Sequence, residues 1–163
     1  MPVRCKIPVR VLGREEFAAL SYDVMADVFA IRNELGRFFD EGIYQQALAG
    51  RRRDVKLEVP VDVSFKDFTK RYFLDVLVAD GGLIEFKAVE ALTNRHRTQL
   101  LNYLFLTGLR HGLLVNVRPE QVGKEFMNTS MSPSPVRSMR SMIRTMRLTL
   151  AARSEMISML ALG

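Results

Sequence analysis

Apolar and polar positions recur along this chain with two different periods, and each change of period marks an element. From Arg14 to Leu35, the apolar residues Phe17, Leu20, Val24, Val28, Ile31 and Leu35 return every three or four positions, with Glu15, Asp23 and Asp27 on the other side. That spacing predicts an amphipathic packing helix. A second helical pattern covers residues 38–48, where Glu41, Tyr44 and Leu48 share one stripe. The period then drops to two. Val55, Leu57, Val59, Val61, Val63 and Phe65 alternate with mainly polar residues, predicting a half-buried strand, bent or near an edge at Pro60. Residues 73–78 and 83–88 are nearly continuous in apolar side chains, the pattern of buried strands. Asp80-Gly81-Gly82 between them predicts a hairpin turn. Residues 93–108 open on Thr-Asn and close on Gly, which predicts a helix. Residues 112–117 read as a short inner strand and residues 124–128 as an edge strand.

Three charged residues break the two apolar strands: Asp75, Glu85 and Lys87. Whether they meet depends on the turn. A three-residue loop over residues 80–82 sets Ala79 opposite Leu83, Asp75 opposite Lys87 and Leu77 opposite Glu85. All three charged residues then share a face, because side chains alternate with period two. A two-residue loop separates Asp75 from the others unless a bulge restores the register. Converging carboxylates make a hard-oxygen site suited to Mg²⁺ or Mn²⁺. A neighbouring lysine can orient a water and offset charge on a phosphate undergoing attack. The same spacing also fits a structural carboxylate–lysine pair on a partly solvated sheet face. Among the helical residues, Glu41 is expected to point inward. His96, Gln99 and Tyr103 lie along one side of the third helix. There His96 reads as solvent-facing, while Gln99 and Tyr103 read either as a polar rim or, for Gln99, as a neighbour of the metal site.

These segments resemble the PD-(D/E)xK nuclease superfamily, and within it the small group of GxxExxY proteins. The matching stretches are Asn33-Glu34-Leu35-Gly36 leading into Glu41-Gly42-Ile43-Tyr44, then residues 74–78, 83–89, 96–104 and 107–116. The resemblance covers roughly residues 17–127, most of the chain. It implies a restriction-endonuclease-like α/β fold, a mixed sheet flanked by helices in the order αβββαβ. It implies Asp75 and Glu85 as metal ligands, Lys87 as the water-orienting lysine, Glu41 as the helix-borne acid and Gln99 as the helical glutamine of the site. The implied activity is divalent-metal-dependent hydrolysis of nucleic acid, DNA ahead of RNA. Two positions depart from the pattern: Phe38 replaces the glycine three before Glu41, and Phe73 stands where arginine is usual. Those departures motivate the alternative of a catalytically inactive nuclease-fold module for nucleic-acid binding or protein interaction.

Composition changes this picture little. With 163 residues, 48% hydrophobic and 26% charged, the chain suits one soluble domain plus an appendage. No apolar run reaches the length of a membrane span, and the first residues lack the pattern of a signal peptide. The single cysteine, Cys5, can form no intrachain disulfide. These features point to the cytoplasm. Ser130–Pro135 is rich in turn formers and divides a domain over residues 1–130 from a tail over residues 131–163. The tail carries five arginines against one glutamate, four of the six net positive charges. Arg137, Arg140, Arg144 and Arg147 form a basic stripe beside Met139, Met142, Ile143 and Met146. An amphipathic helix of that kind suits packing on the domain or on a second copy, hence a homodimer, and offers charge for a nucleic-acid backbone.

Overall fold

The two periods become three helices and six strands in a computed structural model that describes residues 3–5 and 7–129. After a short strand β1 (Val3–Cys5) come helices α1 (Arg14–Leu35) and α2 (Glu41–Arg51), then strands β2 (Val55–Phe65), β3 (Phe68–Val78) and β4 (Gly82–Lys87). Helix α3 (Asn94–Thr107) leads to β5 (His111–Asn116) and β6 (Gly123–Asn128). The tail expected to form a basic helix, residues 131–163, lies outside the described residues.

The strands form one sheet in chain order, β1 to β6. Only β4 and β5, joined through α3, run parallel; every other neighbouring pair is antiparallel. This is the expected αβββαβ order, with β1 and β6 added at the edges. The fold is a restriction-endonuclease-like mixed sheet flanked by helices.

Alternation along β4 explains why its pattern reads as continuous. Ile84 and Phe86 pack with Val28, Ile31, Tyr44 and Leu48 from α1 and α2. Leu83 packs on the other face with Leu100 and Leu104 from α3. All six residues of β4 are buried. Each large apolar side chain so covered contributes about 1.5–3 kcal/mol, so the strand carrying Glu85 and Lys87 is held from both sides.

Two local expectations need correction. The turn between β3 and β4 spans residues 79–81, because Val78 pairs with Gly82 and Leu77 with Leu83. Continued, that register sets Asp75 opposite Glu85, not Lys87. The shift is by whole side-chain repeats, so the face of each residue is unchanged. Its cause is that Ala79 and Asp80, not the glycines, adopt positive φ, at 48° and 57°. Gly81 is required by close approach, since a Cβ there would collide with the Arg10 carbonyl oxygen, whereas one on Gly82 would press on Leu20 Cδ2, the end of a side chain that can shift.

Strand β2 also departs from a single alternating face. Leu57 packs on the α1–α2 side, whereas Val59, Val61 and Val63 join the α3 side. The strand rolls over at Glu58, whose φ is 48°, two residues before the bend expected at Pro60. His96 has a local role as well. It is partly buried and accepts the Thr93 backbone N–H at Nδ1, 3.1 Å away, as part of the cap that starts α3.

Candidate active site at a fork in the sheet

The rollover at Glu58 creates the place where the charged residues meet. Register would pair Glu58 with Asp75, and that step is missing from an otherwise continuous β2–β3 ladder. A non-glycine residue at such a φ costs about 1–3 kcal/mol. On its other side, β3 stays with β4 for only three residue pairs, ending at Val76 and Ile84. Glu85, Phe86 and Lys87 remain paired with β5 alone. The sheet therefore forks at Asp75 and Glu85. One backbone group at the fork, the Phe86 N–H, is taken by the Asp75 carboxylate.

Glu85 is fully buried and Lys87 nearly so. Lys87 Nζ donates to Glu85 Oε1 at 2.7 Å and lies 4.0 Å from Glu41 Oε2. Glu41 reaches the fork from the first turn of α2, and its Oε1 accepts the Ala88 backbone N–H at 3.1 Å. Four of the five residues expected at the site thus converge: Glu41, Asp75, Glu85 and Lys87. Gln99 is linked to this neighbourhood through Tyr103: its Nε2 donates to the Tyr103 hydroxyl at 3.3 Å. Tyr103 in turn sits in the field of Glu85, Asp75 and Lys87, with burial chiefly responsible for holding its phenol above the usual value.

Electrostatics at the fork are those of crowded like charges. Burial, then the charge of Asp75, pushes Glu85 up to about 8. Burial also raises Asp75, against the pull of Lys87. For Lys87, burial works against the ammonium, yet its hydrogen bond to Glu85 and the charges of Glu85, Glu41 and Asp75 outweigh it and raise its pKa. Glu85 Oε2 is buried with no donor in reach. The carboxyl as a whole neighbours that of Asp75, another acceptor, and the two can bond only by sharing a proton or a cation.

That orphaned oxygen tests whether the residues fit a divalent ion. Among the described residues no three His, Cys, Asp or Glu side chains gather as a ligand set, so an ion here would rest on the carboxylates of Asp75 and Glu85. Mg²⁺ commonly takes one or two protein carboxylates and fills its other positions with water and phosphate. The donor set fits.

Two residues of this neighbourhood were not singled out for it by sequence. Tyr103 reads there only as a rim residue. Asn116 pairs with Lys87 across the β4–β5 ladder. Its side chain clamps Val89, accepting the N–H at 3.1 Å and donating to the carbonyl at 2.7 Å. The signal was present: a lone amide in the apolar run Gly112–Val117 must find partners when buried. Conversely, Arg51 and Arg52, part of a basic triplet, are engaged in ion pairs with Glu34 and with Asp23, Asp27 and Asp54.

Fold and site together define a class: α/β proteins with a carboxylate–lysine centre where the middle strands of a mixed sheet part. The chain belongs to the PD-(D/E)XK nuclease superfamily, whose family model matches residues 18–128. That superfamily is one of nuclease-type phosphodiester hydrolysis and nucleic-acid binding, and its members generally use divalent metals. No curated protein matches the chain. Among solved structures, one described as the crystal structure of SSO0001 is similar with a TM-score of 0.43 and 16% identity, over 73% of this chain. The chain spans 59% of the length of that one. Among the described residues, no helix is long and apolar enough to cross a membrane.

Proposed function

We propose that this chain hydrolyses phosphodiester bonds in nucleic acid, DNA in the first instance, with Mg²⁺ or Mn²⁺ held by Asp75 and Glu85. One observation carries the reading: a fully buried carboxylate keeps an oxygen without a donor while facing a second carboxylate. A structural salt bridge gains nothing from that arrangement, because an unpaired buried polar atom costs about 1–3 kcal/mol. Asp75 and Glu85 would hold a divalent ion, which when bound would supply positive charge near the scissile phosphate and acidify water.

The chain's own residues do the rest. Lys87, kept protonated by its carboxylate neighbours, is a donor and not a proton acceptor. It orients the attacking water and offsets charge developing on the phosphate. Glu41 fixes the Ala88 amide and steadies the ammonium from the helix side. Gln99 acts through Tyr103. Within the superfamily we place the chain in the GxxExxY group, on the segments around Glu41, Asp75 and Glu85.

Mixed DNA and RNA substrates incubated with Mg²⁺, Mn²⁺ or EDTA test the proposal directly. The parent should cleave only with metal, and Lys87→Ala and Glu85→Ala should lose at least roughly a hundredfold in rate while still melting cooperatively. Equal cleavage by parent and variants would sink it. A folded parent that binds nucleic acid but never cleaves would favour the inactive scaffold, for which exposed Phe38 and Phe73 already speak.

A further inference from the structure

One exposed cluster beside the fork is left unused by hydrolysis. Phe38, in the turn between α1 and α2, leaves 76% of its surface in water. Two guanidinium groups attend its ring, Arg37 at 5.0 Å and Arg118 at 6.0 Å from the centroid. Neither arginine has a carboxylate partner among the described residues, in contrast to Arg51, Arg52, Arg71 and Arg97. The cluster is tied to the site through backbone. Arg118 Nε donates to the Ala88 carbonyl at 3.3 Å, and the Ala88 N–H is the group held by Glu41. Ala88 immediately follows Lys87.

A solvated phenylalanine between two unpaired guanidinium groups matches the chemistry of an unpaired nucleotide. The ring offers a face for a base, and the cations offer phosphate contacts and planes of their own for stacking. Stacked bases inside a duplex do not present such faces. An apolar protein partner would use the ring but would leave two cations to be desolvated without compensation. We propose that Phe38, with Arg37 and Arg118, is a stacking platform that grips a single-stranded or frayed segment of nucleic acid next to the scissile phosphate. The inference rests on the nuclease reading and deepens it by naming the substrate class, nucleic acid with unpaired bases at the cut.

The test measures binding in EDTA, where no cleavage occurs, using the full chain. A single-stranded oligonucleotide carrying 2-aminopurine and a duplex of the same sequence are titrated with parent, Phe38→Ala and Phe38→Tyr. Phe38→Ala should bind the single strand about tenfold more weakly with little change on the duplex, and Phe38→Tyr should restore the single-strand affinity. Equal single-strand binding by parent and Phe38→Ala overturns the platform. So does a loss of self-association in Phe38→Ala with oligonucleotide binding unchanged, since the ring is then a protein contact. Selective loss of single-strand binding in a parent that never cleaves upholds the platform and removes the hydrolytic reading alone. Metal-dependent cleavage with unaltered binding in Phe38→Ala removes the platform alone.

Discussion

Glu85 shows at the scale of one residue what the site demands of the fold. Its carboxyl is pushed up to about 8, against an ordinary value of 4.5, by burial and by Asp75. Between those values the native chain keeps a proton that the unfolded chain has released. Stability of the metal-free protein must therefore fall as pH rises from about 4.5 to about 8, and level off above. The proposed divalent ion would take the place of that proton, so its affinity should rise through the same window. Thermal melts in EDTA should decline from about pH 5 to about pH 8 for the parent and decline less for Glu85→Gln. Added Mg²⁺ should raise the melting temperature of the parent at pH 8, and not that of Glu85→Gln. A parent melting curve indifferent to both pH and metal would contradict this assignment of the buried charge.

At the scale of elements, the turn between β3 and β4 gives the sharpest prediction. Gly81→Ala would drive a Cβ into the Arg10 carbonyl and Leu12, and neither backbone nor packed leucine can yield cheaply. It should cost about 1–3 kcal/mol by urea denaturation. Gly42→Ala is the control, since nothing lies within 4 Å of a Cβ there; it should be neutral or slightly stabilising. The helices, the buried strands and the common face of Glu85 and Lys87 were legible in the sequence, because periodicity is a property of local spacing, whereas the face of Asp75 hung on the turn. The register was not legible, since the turn glycines invite the assumption that they carry the positive φ, whereas Ala79 and Asp80 do. Nor was the rollover at Glu58. No residue type announces a glutamate in the left-handed region, and the packing of two opposite cores on one strand decides it. Gln99 shows the limit of a helix stripe: it puts Gln99 and Tyr103 on one side but cannot say that the two side chains bond to each other.

For the whole molecule, a net charge of +6 and cations left without carboxylate partners beside the site predict binding governed by phosphate. Affinity for duplex or single-stranded DNA in EDTA should fall by at least about tenfold as monovalent salt rises from about 50 to about 200 mM. Filter binding or anisotropy would measure the slope; a flat dependence would remove the nucleic-acid reading from the molecule as a whole.

The fork between β3 and β4 also has a mechanical meaning. The β2–β3 hairpin pairs along almost its entire length with itself, but with β4 for three steps only. It is an arm of two strands, attached to the rest of the sheet near the rolled-over step at Glu58 and Asp75. Lys70, Arg71 and Phe73 stand out along the arm. A load on that arm would meet the rest of the sheet first near Asp75, the residue next to the last β3–β4 pair. A polymer held along that arm would therefore act on the spacing of the two acids through one short stretch of backbone.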